Sequence, residues 1–446
     1  MAEDSVRLLI VRTGDILSAF SSYSYKSEFL TPTDRWTIET SDTRTVQHIL
    51  AVLKPGDDIQ LQLRGFPVCT GPLGKISLKM TTTGLQATLS GRDRLARAVD
   101  AGVDPLLVWT SSQTMGDVFQ AIFAPLGFDK LSTSDIFNRY AMSGINPAKA
   151  GTHVLEAAYD KPDTIPEQVG TIVYDKPTGT YTHQPAVTEL FDPTRPASMK
   201  TLTMDQFKPA PESGVFEFWS KLIKRFGLWS WCSGDGEYVV TDAPDFTQAP
   251  SYTFTLRLDG KGNNIEESSW EIDGENQPSV ILGTAFGGGG FHDVNTLKVA
   301  AVNELTGCDV DGNILPQVRA LIDKYKGAHV LPLRQHLFGF SENYTNTIAR
   351  PAYLHDDESK NLGQLSAVIR RKLAECQKRG LTYKITVRDH SQDGKPFMVN
   401  TMANVFDETL GVSEPMWIME REFIRSNEGS KTHLTLIRAG SLDLIV

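Results

Sequence analysis

The residues with chemical potential are few and poorly grouped. Cys308-Asp309-Val310-Asp311-Gly312-Asn313 resembles the start of a calcium loop, yet position 12 counted from Asp309 is Ala320, where such a loop needs a bidentate acid. Four glycines at 287–290 lack the Lys-Ser/Thr that completes a phosphate-cradling loop, so they read as a flexible linker. His329 and His336 are seven apart in a Pro-interrupted stretch, where a buried or solvated histidine outweighs a ligand. Neither HExxH nor GxSxG occurs. The pairs Glu266-Glu267 and Asp356-Asp357 are adjacent. A strand would send adjacent carboxylates to opposite faces, which does not suit a glycosidase acid pair. Asp356-Asp357-Glu358 also precedes a helical pattern, where negative charge suits the helix dipole. Cys69, Cys232, Cys308 and Cys376 lie far apart without a CxxC, and read as reduced buried thiols instead of a zinc site or disulfide framework. No catalytic, cofactor-binding or metal-ligating residue is nominated, no cofactor is expected, and the chain is not expected to be an enzyme.

The elements are richer than the chemistry. Strands are expected at 5–12, 36–40, 58–64, 66–70, 74–82 and 84–90, with Ile59, Leu61 and Leu63 alternating against Gln60, Gln62 and Arg64. That spacing suggests a small antiparallel barrel or sandwich. Helical periodicity covers 114–126, with Val118, Phe119, Ile122, Phe123 and Leu126 on one face and Gly127 as the stop. A second helix over 213–226 echoes it: Phe119 and Trp219 each precede the closing glycine by eight residues. A hairpin follows at 228–241 around Ser233-Gly234-Asp235-Gly236. Nine of the 23 prolines fall in 145–211, which should be extended. A strand is expected at 251–258. A long helix over 359–379 precedes strands at 381–388, 396–406, 415–425 and 431–438, with turns at Gln392-Asp393-Gly394 and at 426–430.

The 446 residues, 40% hydrophobic and 22% charged, fit two to four ordinary globular domains. The acidic Met1-Ala2-Glu3-Asp4 start lacks a long apolar run, so no secretory leader is expected, and no apolar stretch is long enough for a membrane span. The net charge of −10 sits in the middle. Residues 1–100 hold 12 Lys and Arg against 11 Asp and Glu, residues 351–446 hold 13 of each, and residues 101–350 hold 19 against 30. No basic run interleaves with aromatics, which disfavours sequence-specific nucleic-acid binding. The acidic middle reads as a solvated surface, or as one that repels phosphate or meets a basic partner.

Three stretches resemble one family. Pro55-Gly56-Asp57, a strand containing Gly71, and Ser90-Gly91-Arg92-Asp93-Arg94 through Val99-Asp100 resemble the small barrel and "GRDR…LVD" signature of baseplate hub proteins from Mu-like contractile-tailed bacteriophages, the late control or tail hub family. Val215 to Thr241, with Arg225-Phe226-Gly227-Leu228, is similar to the family's helix and hairpin. Arg350-Pro351 through Asp356-Asp357-Glu358-Ser359, Val399-Asn400-Thr401-Met402-Ala403-Asn404-Val405 and Thr432–Ile437 resemble its C-terminal unit.

The resemblance implies a β-rich α+β multidomain chain with two small antiparallel tube-like β-barrel domains flanking mixed α/β middle domains. The expected divisions are an N-terminal barrel at 1–100, a middle α/β region with the Pro-rich segment at 101–210, a helix and hairpin at 211–245 that can join the second barrel, a β-rich insertion at 246–350, and a C-terminal barrel with one long helix at 351–446. The implied role is a structural hub in the virion baseplate, assembled in the host bacterial cytoplasm. As a homotrimer it would adapt the sixfold tail tube to the threefold central spike. Its partners would be the spike protein, the tail tube protein and baseplate wedge proteins. DNA would pass through its channel without sequence-specific binding, repelled by an acidic middle that lines or borders it, and there would be no stable membrane insertion. The open alternatives are a tail-tip peptidoglycan or polysaccharide hydrolase, a receptor-binding module, and the hub of a contractile secretion system or tailocin.

Overall fold

The computed structural model describes residues 6–81, 84–104, 107, 115–128, 131–132, 171–175, 180–184, 213–223, 229–237, 239–242, 246, 248–274, 277–286, 296–309, 311–333, 349–357, 359 and 362–438. Outside them lie the 287–290 glycines, His336, Thr114, Arg225-Phe226-Gly227-Leu228, Glu358, and all of the Pro-rich segment except two short strands.

The N-terminal unit contains β1 (Val6–Ile10), β2 (Ile16–Leu17), β3 (Ser22–Glu28), β4 (Arg35–Thr40), α1 (Thr43–Val52), β5 (Asp58–Leu63), β6 (Phe66–Thr81), β7 (Gly84–Arg92) and α2 (Ala96–Asp100). Period-2 burial builds it: Ile59, Leu61 and Leu63 of β5 are buried while Gln60 and Gln62 are half-exposed. The two pieces expected at 66–70 and 74–82 form one strand, because a register shift between Leu73 and Lys75 absorbs the break in alternation. Asp42 caps α1 by accepting the Thr45 backbone N–H at 2.8 Å.

The middle begins with α3 (Met115–Phe123), β8 (Leu131–Ser132), β9 (Thr171–Asp175), β10 (Thr180–Gln184), α4 (Val215–Ile223), β11 (Trp229–Cys232) and β12 (Val239–Asp242). The echoed aromatics meet: Phe119 and Trp219 pack edge to face at 5.7 Å, with Phe123 and Phe128 beside them. The β11–β12 hairpin pairs with β8, apart from the large sheet.

Further along lie β13 (Tyr252–Leu256), β14 (Ile265–Ile272), β15 (Val280–Phe286), β16 (Thr296–Val302), α5 (Pro316–Lys324), β17 (His329–Val330), β18 (Pro351–His355), α6 (Leu362–Gly380), β19 (Leu381–Arg388), β20 (Ser391–Gln392), β21 (Lys395–Pro396), β22 (Thr401–Asp407), β23 (Val412–Ser426) and β24 (Gly429–Arg438). The strand expected at 396–406 begins only at Thr401, since Asn400 takes φ 58° and breaks the extended run. The four-stranded sheet β17-β16-β15-β18 is a layer between two helices. Ile281, Ala285 and Val299 pack on Leu365, Ile369 and Leu373 of α6, while Val280, Leu282 and Ala300 pack on Val318 and Ile322 of α5.

The largest sheet has 13 strands, and its main path runs β14-β19-β24-β23-β3-β4-β7-β6-β5-β1-β2. The six main strands of each end unit follow one spatial order. In the N-terminal unit it is β1-β5-β6-β7-β4-β3, and in the C-terminal unit β13-β22-β23-β24-β19-β14. Counted along each unit's chain, both read first, fourth, fifth, sixth, third, second. They differ in one pairing: β1 runs antiparallel to β5, whereas β13 runs parallel to β22. The β15–β18 layer and α6 are inserted between the second and third strands of the C-terminal unit.

Candidate functional site

The sequence-level candidates resolve into structural parts. Asp309 accepts the backbone N–H groups of Asp311 and Asn313 at 3.0 and 2.8 Å, and Cys308 and Ile314 bridge across the turn. The calcium-like spelling is thus an Asx turn closing a small loop. His329 is exposed on β17, parallel to β16. A bulge between Ile265 and Glu267 changes the simple alternation expected for the acidic pair: Glu266 sits 3.1 Å from Arg388 and 3.6 Å from Lys431, on the side that Glu267 shares with Thr386. Ser359 donates its hydroxyl to the buried Asp356 carboxylate, whose backbone N–H donates to Thr284 at 2.9 Å. None of the four cysteines forms a disulfide. Burial, and then nearby carboxylates, push the Cys69 and Cys232 thiols well up and the Cys308 thiol up to about 12, so these three stay protonated and poorly nucleophilic. Among the described residues no cluster of three His, Cys, Asp or Glu is placed to hold a metal. A groove of about 670 Å³ lies among α2, α4 and α6. Its charged side chains are paired: Lys221 with Glu217 at 2.7 Å, Arg371 with Glu375 at 3.7 Å, and Asp100 with Arg92.

The unusual feature is the junction of the two end units. β23 is shared. Residues 412–418 pair with β22, and residues 420–425 pair with β3, about 400 positions earlier in the chain. The core beneath runs without interruption from Val6 and Trp36 to Phe423 and Leu436. Arg421, 1% exposed, stands at its centre. Its guanidinium donates to the Phe397 carbonyl and, at 3.1 Å, to the Tyr25 hydroxyl, and lies 4.8 Å from the Phe423 ring centre. Tyr25 in turn donates to Asp34 and Val68 carbonyl oxygen, each at 2.6 Å. A buried cation is costly unless its donors are used, and here they tie the two units together. Nearby, His390 joins Tyr23 at 2.8 Å and Thr432 at 2.9 Å, again across the junction.

Because cross-strand partners share a face, register traces one surface across the sheet. Arg388, Lys431, Ile424, Ser24, Thr37, Ser90 and Lys75 form a row over seven strands from β19 to β6. Parallel rows carry Lys384, Thr435, Glu420 and Glu28, and Thr386, His433, Glu422, Lys26 and Arg35. This face is polar and mixed in sign. Lys26 meets Glu420 at 2.8 Å, and Ser24 donates to Glu422 at 2.6 Å. Of the acidic 101–350 stretch, β14 borders it and contributes Glu266, Glu267 and Glu271. Sequence reading named neither this face nor the junction; the only local signal was alternation of polar with aromatic residues in Ser22-Tyr23-Ser24-Tyr25-Lys26.

Two solved structures share this architecture along nearly their whole length. The tail protein from Neisseria meningitidis MC58 superposes with a TM-score of 0.60 at 18% identity, covering 99% of each chain. The 43 kDa tail protein of prophage MuSo2 from Shewanella oneidensis gives 0.61 at 15% identity, over 99% of this chain and 100% of that one. No protein-family model and no curated protein matches the chain. At these identities the likeness is one of fold, and it agrees with the resemblance to Mu-like phage proteins carried by the Gly91-Arg92-Asp93-Arg94 stretch: the chain has the fold of prophage tail proteins.

Proposed function

We propose that this chain is the structural baseplate hub of a contractile tail, a homotrimeric ring that adapts the sixfold tail tube to the threefold spike. The observation that carries the reading is the end-to-end match to two prophage tail proteins. The repeated strand order supports it, since two like units per chain turn three copies into six similar lobes. In this reading the spike, tube and wedge proteins are its partners, the virion tail is its location, and its task is geometric rather than chemical.

The channel surface in this reading is the polar sheet face. It is the one broad face of the large sheet that carries charge and hydroxyl groups while its reverse is core. Ion pairs such as Lys26–Glu420 and Arg388–Glu266 interrupt the cations along it, so phosphates meet no continuous cationic track. DNA would slide past it, with the acidic side chains of β14 adding local repulsion.

The test is mass in solution of the full chain, with and without its cognate spike protein, followed by negative-stain class averages. A trimer whose end-on averages show six lobes around a hole supports the hub. A particle that stays monomeric with the spike present refutes it.

A further inference from the structure

Resting on the ring reading, we propose that one copy's β14 pairs with the 74–81 stretch of β6 in the next copy, through a charge-matched antiparallel seam. Two free edges motivate this. β14 ends the strand path and pairs only with β19, and β5 leaves β6 at Pro72, so the second edge of 74–81 has no strand partner among the described residues. Unpaired edges present rows of backbone donors and acceptors that template pairing with another chain.

Direction and length both fit. Every pairing from β14 through β19, β24, β23, β3, β4 and β7 to β6 is antiparallel. An even number of alternating strands leaves the two ends running in opposite senses. A rotation about the ring axis therefore brings β14 against 74–81 antiparallel. β14 has eight residues, as does 74–81. The two edges differ from each other, so the contact is heterologous and closes only as a ring.

The side chains fit as well. On the polar face, β14 presents Glu267, Ser269 and Glu271 at alternate positions, opposite Thr386, Lys384 and Thr382. On the same face, β6 presents Lys75, Ser77 and Lys79 at alternate positions, opposite Ser90, Thr88 and Gln86. Antiparallel alignment sets Glu267 against Lys79, Ser269 against Ser77, and Glu271 against Lys75. Lys75, Lys79 and Glu267 make no ion pair among the described residues. Glu271 shares its carboxylate with Lys384. On the reverse face, Leu78 is 47% and Met80 75% exposed, and half-buried Trp270 of the neighbour would cover them.

The test uses the full chain in sedimentation velocity across a concentration series. The double variants Lys75→Glu/Lys79→Glu and Glu267→Lys/Glu271→Lys should each raise the trimer's dissociation concentration about tenfold or more, since matched pairs become like-charge pairs at every seam. The quadruple variant should recover trimer. The Ser77→Cys/Ser269→Cys variant, oxidised, should give a disulfide-linked trimer on a non-reducing gel, and neither single cysteine should pass the dimer band. A wild-type chain that stays monomeric even with its cognate spike protein present overturns the ring reading and the seam with it. A wild-type trimer that survives both charge reversals and yields no linked trimer overturns the seam alone.

Discussion

Gly71 lies where two stretches of backbone nearly touch. A Cβ built on it would sit 2.3 Å from the Arg92 carbonyl oxygen, 2.3 Å from the Asp93 carbonyl carbon and 2.5 Å from the Arg94 nitrogen. Ordinary C···O approach is about 3.3 Å or more, so Gly71→Ala must push the 92–94 segment back by about 1 Å. That shift stretches the hydrogen bond from the Arg94 N–H to the Thr70 carbonyl, now 2.8 Å, and strains the one from the Asp34 N–H to the Asp93 carboxylate, now 3.0 Å. Overpacking costs about 1–3 kcal/mol, and a weakened buried hydrogen bond about 1–3 kcal/mol more. Gly71→Ala should therefore destabilise by about 2–6 kcal/mol, summing those two costs. Gly102 supplies the control, because nothing lies within 4 Å of its added Cβ. Gly102→Ala should be neutral or stabilise by up to about 1 kcal/mol through the unfolded chain. Urea denaturation followed by tryptophan fluorescence compares the two. If both alanines give the same midpoint, the close-approach reasoning is wrong.

Three further outcomes follow from the junction. Arg421→Lys should cost about 3 kcal/mol, since it keeps a buried charge but loses donors that reach both Phe397 and Tyr25. Arg421→Met should cost less, because removing the cation also removes its desolvation, and a larger loss for Met than for Lys would refute that ordering. Burial, and then the neighbouring Asp34 carboxylate, hold Asp93 well above the ordinary carboxylate range. Its stabilising contribution is full below the unfolded value of about 3.9 and is lost as pH rises through the folded value. Asp93→Asn should thus gain stability relative to wild type as pH rises across that window, and a difference that stays flat from acid to neutral pH would count against it. Burial tends to raise the Glu28 carboxyl, but the Lys378 ammonium at 2.5 Å outweighs it and lowers the value. Lys378→Met should therefore weaken the chain above the unfolded Glu value of about 4.3, with the difference from wild type shrinking as pH falls through the lowered folded value; an equal loss at all pH would point to packing instead.

Local pattern made much of the fold readable. The periodicity of Leu362, Leu365, Ile369 and Leu373 marks α6, and the alternation in 381–388 and 431–438 marks β19 and β24 to within a few residues. β3 escaped notice because Ser22-Tyr23-Ser24-Tyr25-Lys26 has almost no aliphatic residue, though its tyrosines are buried. α1 was hidden by Thr43, Thr45 and Val46, which are poor helix formers held by tertiary packing of Val46 and Ile49. β15 and β16 are buried on both sides, so Val280-Ile281-Leu282 shows no period of two. The junction was out of reach for a different reason. The pairing of Ser27 with Arg421 depends on where two distant segments meet, and nothing near either residue encodes the other.

β23 is a strand with two owners. It closes one lobe with its opening residues and begins the other's neighbour with its later ones. Neither lobe can then be cut out as a free-standing fragment, because removal of one strips the survivor's backbone along half a strand. The lobes also have no swivel between them. Their mutual tilt is set by the twist of a continuous sheet, so any load passed from one to the other travels through peptide groups and not through a slack tether.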